Sequence, residues 1–125
     1  MTAARLAARY VSDSVTTMSP AQLLLSLYDR LVLDLDRAEA ALRGGQPAHQ
    51  LLLHAQDIVA ELRSSLDVDA WEGGPQLASL YSFFLTELVN ANVSRDADRV
   101  ASVRELVVPL RDAWREAAVL AAQAS

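Results

Sequence analysis

Residues 19–29 read SPAQLLLSLYD, and this stretch specifies both the start of a helix and more apolar surface than one buried face requires. Ser19 can cap the free amide groups of the first turn, Pro20 suits the first helical position, and Gln22 can bond back to the cap. A helix that is apolar beyond its core stripe is either fully buried or keeps a second face for a partner. The stretch therefore predicts a long helix whose surplus leucines serve one of these two purposes.

The apolar pattern continues from this start at alternating spacings of four and three residues until it meets two glycines. This pattern predicts a helix from Pro20 to Arg43, with Gly44 in the left-handed conformation that commonly ends helices. Its core-facing seam consists of Leu24, Tyr28, Leu31, Leu35, Ala38 and Leu42. The leucines beside this seam are the residues available to a partner.

Three further helices are predicted in the rest of the chain. The second spans about residues 47–67 and the third about residues 75–93. The fourth follows a cap at Ser94 or Asp96, and Pro109 inside it predicts a kink or, as the alternative, a break into two helices. Four glycines and four prolines are too few for a sheet protein that turns every few residues. We therefore predict an all-α protein, an antiparallel four-helix bundle.

The inward-facing positions of these three helices follow from the same periodicity. They are Leu51, Ala55, Ile58, Leu62 and Leu66 in the second, Leu77, Leu80, Tyr81, Phe84, Leu88 and Ala91 in the third, and Val100, Val103, Val107, Leu110, Trp114, Ala117 and Ala121 in the fourth. Asn92 and Asp96 are expected to act as helix caps. We predict one domain over residues 1–125, in which residues 1–18 form an irregular or short helical N-terminal cap segment and residues 19–125 the bundle.

Composition and charge exclude several classes of function. A net charge of −5 with no lysine argues against nucleic-acid binding, which depends on clustered cations. The chain has no cysteine, so disulfides and thiol chemistry are excluded. The N-terminus lacks the apolar core of a signal peptide, and no uncharged run reaches the length of a membrane span. We expect a cytoplasmic protein that is not inserted in a membrane.

The sequence contains no recognisable catalytic, cofactor-binding or metal-binding motif. The nearest candidate is His54 with Asp57 and Glu61 on one helical face, and this set is better explained as a solvated polar stripe. No phosphate-binding loop, dinucleotide turn or nucleophile elbow is present. We expect no catalytic residues, no cofactor and no metal, and we predict that the chain is not an enzyme.

The order of motifs along the chain resembles the flagellar secretion chaperone family FliS. Residues 17–29, reading TMSPAQLLLSLYD, are similar to the opening of that family's first helix. The later matches are Ile58, Glu61, Leu62, Ser65, Leu66 and Asp67 in the second helix, Leu80, Tyr81, Leu88, Ala91, Asn92 and Asp96 around the third, and Leu110, Arg111, Ala113 and Trp114 in the last. Tyr10 stands where the family places a tyrosine ahead of the bundle. Met18 departs from the alanine usual there.

The resemblance implies a cytoplasmic export chaperone. Such a chaperone binds the disordered C-terminal segment of flagellin, prevents premature polymerisation and assists delivery to the flagellar type III export apparatus, including its export-gate component. The resemblance also implies that the N-terminal segment with Tyr10 covers part of the binding groove in the free protein. We expect a monomer or a weak dimer when free. The alternative is a homodimeric helical-bundle module without specificity for flagellin.

The residues that form the flagellin groove cannot be separated from core residues by periodicity alone. For six residues, packing in the core and contact with a ligand remain open alternatives: Leu25, Val32, Leu33, Leu52, Val59 and Leu85. For Trp114, core packing is the preferred interpretation. The predicted groove residues are Tyr10, Val11, Leu25, Leu27, Tyr28, Val32, Leu52, Val59, Tyr81 and Leu85.

Overall fold

A computed structural model describes residues 19–124 as four helices joined by short connections. We number them α1 (Pro20–Arg43), α2 (His49–Ser65), α3 (Gly74–Ser94) and α4 (Ala97–Ala124). The all-helical prediction is confirmed for this part of the chain. None of these helices is both long and apolar enough to span a membrane.

The start of α1 is stabilised by the predicted capping box. The Gln22 backbone N–H donates to Ser19 Oγ at 3.2 Å, and the Ser19 N–H donates to Gln22 Oε1 at 2.9 Å. The end of α1 differs from the prediction by one residue. Gly44 has φ of −86°, whereas Gly45, with φ of 71°, takes the left-handed conformation. The prediction for Gly44 is wrong because its N–H still bonds to Ala40 O at 3.0 Å, which delays the turn.

The second helix is shorter than predicted, because α2 begins at His49 and ends at Ser65. The loop that follows, residues 66–73, returns over the start of α3. A Cβ atom on Gly74 would lie 2.1 Å from the carbonyl oxygen of Val68, so only glycine allows this close approach. This contact holds the loop against the first turn of α3.

Ion pairs and hydrogen bonds show that neighbouring helices run antiparallel. Between α1 and α4, Asp29 pairs with Arg115 at 2.9 Å and Arg43 pairs with Asp98 at 3.0 Å, so rising numbers in one helix meet falling numbers in the other. Between α2 and α3, Asn92 Nδ2 donates to His49 Nδ1 at 2.9 Å and Arg63 Nε donates to Ser82 Oγ at 3.2 Å, so the numbers again run in opposite directions. Each helix packs mainly against two others, α1 and α3 both lying between α2 and α4. The predicted four-helix bundle is therefore confirmed.

The core is formed largely by the predicted seams, with one shift of phase in α2. Seven of the predicted core positions are only partly buried and pack against the edge of the core. They are Leu24, Leu42, Leu51, Leu66, Leu80, Leu110 and Trp114. In α2, Leu52 and Val59 are fully buried.

In α4, the helix continues unbroken through Pro109, so the alternative of two helices is wrong. Ala117 and Ala121 are exposed, because the last turns of α4 extend beyond the core.

The connection from α3 to α4 is two residues long and is stabilised by a left-handed residue and a side-chain cap. Arg95 has φ of 53° and ends α3, while the Arg99 N–H donates to Asp96 Oδ1 at 3.1 Å. The prediction that Asp96 acts as a cap is confirmed. Asn92 is not a cap, because its side chain bonds to His49 on the neighbouring helix.

Candidate functional site

An open apolar depression lies between the start of α3 and the second half of α4. It has a cavity volume of about 470 Å³, and nearly all of its surface is apolar. The residues that line it are Trp71, Leu77, Leu110, Ala113, Trp114 and Ala117. The two alanines on α4 leave room where larger side chains would fill the space against α3.

A second depression of about 250 Å³ shares Trp71, Leu77 and Trp114 with the first. It extends the apolar surface across the end of the bundle to α1 and α2. It adds Leu24, Leu27, Leu62, Leu66 and Tyr81, with Ser65, Asp67 and Ala70 at its edge. We call the two depressions together the tryptophan groove, since both tryptophans of the chain line both of its parts.

Trp71 contributes the most exposed aromatic surface of the groove. Its side chain belongs to the loop 66–73 and remains 49% exposed. Its ring packs edge to face against Trp114, with centroids 6.5 Å apart, and lies so close over Gly73 that a Cβ there would come within 2.1 Å of it. A half-exposed tryptophan beside an apolar cavity is typical of a surface that binds a partner.

Ion pairs explain why the groove opens between α3 and α4 and not between α1 and α4. The α1–α4 seam carries ion pairs along its length, from Asp29 with Arg115 and Arg111, through Asp36 with Arg104, to Arg43 with Asp98. Across the α3–α4 seam, the described residues form one ion pair, between Arg99 and Glu87 at 3.3 Å, at the end far from Trp71. Apolar packing alone therefore holds α3 and α4 together at the groove.

A buried pair of phenols lies at the base of the groove. The hydroxyls of Tyr28 and Tyr81 share a short hydrogen bond, and both rings are almost fully buried. Burial raises the pKa of Tyr28, and the hydrogen bond from Tyr81 partly opposes this rise. The indole N–H of Trp114 also acts to lower the pKa of Tyr28, although its approach falls short of a formed hydrogen bond. Burial and the nearby Tyr28 raise the pKa of Tyr81 far above its ordinary value.

The structure places the described members of the predicted groove set in three groups. Tyr10 and Val11 lie outside the described residues. Leu27 and Tyr81 line the tryptophan groove, whereas Leu25 lines a separate shallow depression with Arg115 and Val119. The others are buried or partly buried against the core, namely Tyr28, Val32, Leu52, Val59 and Leu85.

Sequence reasoning missed Trp71, Leu77, Leu110, Ala113 and Ala117 as lining residues of a site. The sequence pattern gives Trp71 no role, it predicts core positions for Leu77, Leu110 and Ala117, and Ala113 enters only as a match to the family. One signal was available, because Trp71 lies two residues before a pair of glycines, in a loop where no helical periodicity explains a large aromatic ring. The small residues of α4 carry no such signal until their position opposite α3 is known.

The polar face around His54 is not the solvated stripe that the sequence predicts, because Glu61 is buried and His54 bonds to a residue of α1. His54 Nδ1 bonds to Asp34 Oδ2 on α1, and Arg30 Nε donates to the other oxygen of Asp34 at 3.2 Å. Asp34 is fully buried, while His54 is half exposed, so His54 is not simply part of a solvated stripe with Asp57 and Glu61. Among residues 19–124, no group of three or more potential ligands is arranged to hold a metal ion.

An antiparallel four-helix bundle with an open apolar groove at one end belongs to the class of helical proteins whose surface suits an apolar segment of another chain. Comparison with known proteins identifies the family. The family model described as flagellar protein FliS matches residues 2–121. The chain belongs to the FliS family.

Three relatives agree with this assignment, and each carries the name flagellar secretion chaperone FliS. The Bacillus subtilis protein is 30% identical over 110 residues, which cover 86% of this chain and 82% of that protein. The Escherichia coli protein is 32% identical over 85% of this chain and 81% of its own length. The Salmonella typhimurium protein is 29% identical over 85% of this chain and 82% of its own length. The predicted family is confirmed, and so is the class of function that it implies, a flagellar secretion chaperone.

Proposed function

We propose that this chain binds the disordered C-terminal segment of flagellin in the cytoplasm, prevents its premature polymerisation and assists its delivery to the flagellar export apparatus. The observation that carries the proposal is the tryptophan groove, an open apolar surface on a member of a chaperone family. An amphipathic segment that folds on binding requires such a groove for its apolar side.

The energetics support a segment with several apolar anchors. Ordering a disordered segment costs about 2–5 kcal/mol or more of the interaction energy. Full burial of one leucine or phenylalanine side chain contributes about 1.5–3 kcal/mol. Two anchors would therefore do little more than offset the ordering cost. The two connected depressions of about 470 and 250 Å³ provide room for more than two anchors.

We propose a direct contact with flagellin for the predicted residues that reach the surface. Leu27 contributes through the tryptophan groove and Leu25 through the separate depression that it lines with Arg115. Tyr81, almost fully buried, forms part of the base of the groove, and Leu85 packs partly buried against the core. The fully buried members of the predicted set support the groove from below, and flagellin reaches them only where helices separate. They are Tyr28, Val32, Leu52 and Val59. Tyr10 and Val11 act through the N-terminal cap segment, which competes with flagellin for the groove.

The proposed role involves binding without catalysis. A chaperone family is not a class of enzymes, and the function needs no cofactor, metal, nucleic acid or membrane insertion. The free chain is a monomer or a weak dimer. The export-gate component of the flagellar type III system is a further proposed partner.

Isothermal titration calorimetry of the full chain with the C-terminal segment of the cognate flagellin tests this proposal. We expect a one-to-one complex with a negative heat-capacity change, because apolar surface is buried on binding. An unrelated amphipathic peptide of equal length is the matched control. The absence of binding at tens of micromolar, about 6–7 kcal/mol of binding free energy, contradicts the proposal.

A homodimeric module without flagellin specificity is the second candidate. The observation that favours it is a set of exposed apolar residues on α3 outside the groove, Phe83, Val89 and Val93. Sedimentation equilibrium separates the two candidates. A stable dimer that does not bind the flagellin segment supports the module, whereas a monomer that captures the segment supports the chaperone.

A further inference from the structure

We propose that the loop 66–73 selects a flagellin segment that places basic side chains beside its apolar anchors. This inference rests on the proposed function and adds a charge requirement to it. The loop that supplies Trp71 to the groove also carries Asp67, Asp69 and Glu72. Asp67 lines the groove, and Asp69 and Glu72 flank the lining residues Ala70 and Trp71 in the sequence, so we define these three residues as the acidic rim of the groove.

Within residues 19–124, few positive charges are placed to neutralise the acidic rim. No lysine, arginine or histidine occurs between residues 64 and 94, a range that includes all of α3. Arg63, just before the loop, donates to Ser82 Oγ on α3 at 3.2 Å. The two arginines of the second half of α4, Arg111 and Arg115, pair with Asp29 on the α1 side of the bundle.

The carboxylates of the rim are available to a partner. Asp69 and Glu72 are exposed, and neither side chain forms a hydrogen bond or ion pair with another residue of the described range 19–124. Asp67 lines the groove itself, and one of its carboxylate oxygens accepts the Asp69 backbone N–H at 3.3 Å. A segment whose apolar side fills the groove brings the residues flanking that side next to the rim, where opposite charge is favoured.

The occupant that satisfies both surfaces is an amphipathic segment with lysine or arginine at the border of its apolar stripe. An apolar segment flanked by acidic residues would meet like charges at the rim. The rim therefore fixes which way the segment lies as well as how tightly it binds. This chemistry predicts a binding free energy that depends on salt, unlike that of a purely apolar contact.

Two double variants of the full chain test the inference. Asp69→Asn with Glu72→Gln neutralises the rim, and Asp57→Asn with Glu105→Gln removes the same charge from exposed carboxylates elsewhere on α2 and α4. Each variant is titrated with the flagellin C-terminal segment and with a version of that segment in which every lysine and arginine is replaced by glutamine. Circular dichroism checks that both variants fold as the parent chain does.

We expect the rim variant to bind the natural segment about 3- to 10-fold more weakly at low salt, because each exposed ion pair contributes up to roughly 1 kcal/mol. The control variant should change affinity by less than about twofold, and the difference between variants should shrink near 1 M NaCl, where the screening length is about 3 Å. The glutamine segment should bind the parent chain and the rim variant with the same affinity.

Equal weakening by both variants indicates a net-charge effect and overturns the inference. Unchanged binding of the natural segment by the rim variant also overturns it while leaving the proposed function intact. If the parent chain binds neither segment, the proposed function fails, and the inference fails with it.

Discussion

The indole rings of Trp71 and Trp114 meet edge to face, with their planes 73° apart, although one belongs to a loop and the other to α4. This contact fixes the loop 66–73 across the opening between α3 and α4. It also leaves about half of Trp71 exposed at the mouth of an apolar cavity. The aromatic pair therefore forms a wall of the groove that the ring contact holds in place. Burial of its exposed apolar surface against a partner would favour binding.

The hydroxyl pair of Tyr28 and Tyr81 leads to a prediction about stability. Replacing either tyrosine by phenylalanine leaves the other hydroxyl buried without its partner, so we expect each single variant to lose about 1–3 kcal/mol of unfolding free energy. The double variant, Tyr28→Phe with Tyr81→Phe, should lose less than the sum of the two. Urea denaturation of all four proteins measures the coupling, and strict additivity would contradict a direct bond.

The same pair predicts a loss of stability at high pH. Burial raises the folded-state pKa of both phenols above the ordinary value of 10.0, so in alkali the unfolded chain loses these protons before the folded chain does. The contribution is fully present below about pH 10 and falls as the pH rises above it. Unfolding free energies between about pH 8 and pH 11 should decrease more steeply for the parent chain than for the double phenylalanine variant. Parallel curves would contradict this account.

The buried carboxylate of Asp34 predicts a specific role for His54. Replacing His54 by alanine removes one of the two groups that bond to this fully buried charge and leaves Arg30 as the other. We expect a loss of about 1–3 kcal/mol of unfolding free energy. Asp57→Ala, at an exposed position on the same helix, is the matched control and should change stability by less than about 0.5 kcal/mol. Equal effects of the two substitutions would show that His54 does not stabilise Asp34.

Deleting residues 1–17 tests the proposed competition between the N-terminal segment and flagellin. If the segment covers part of the groove, its removal should leave the affinity for the flagellin segment level or raise it, because binding no longer displaces a competitor. A Tyr10→Ala variant of the full chain should behave in the same direction. A large loss of affinity in either protein would make Tyr10 a direct contact and contradict the competition.

Much of the fold follows from local sequence signals. The Ser19 capping box and the three-and-four spacing after it predict the bounds of α1 as the structure has them. In α2, three consecutive leucines made the helix phase ambiguous, and the structure buries Leu52 more fully than Leu51. The turn after α1 required a backbone hydrogen bond at Gly44 that no residue pattern encodes.

The groove was harder to predict, because it depends on contacts between residues distant in sequence. Trp71 and Trp114 are brought together by the packing of a loop against α4, and a loop has no periodicity from which that contact could be read. Asp34 and His54 lie 20 residues apart on different helices. Periodicity assigns residues to faces of their own helices, whereas a groove is defined by the faces that a neighbour leaves uncovered.

The central claim is that the tryptophan groove binds the flagellin C-terminal segment, and a pair of substitutions tests it most directly. Trp71→Ala removes an exposed aromatic wall of the groove, while Val93→Ala removes a more exposed apolar side chain, 81% accessible, that does not line the groove. Calorimetric titration of both variants with the flagellin segment should show a loss of about 2 kcal/mol or more for Trp71→Ala, roughly 30-fold in Kd, and little change for Val93→Ala. Unchanged affinity in Trp71→Ala, with its fold intact, would contradict the account.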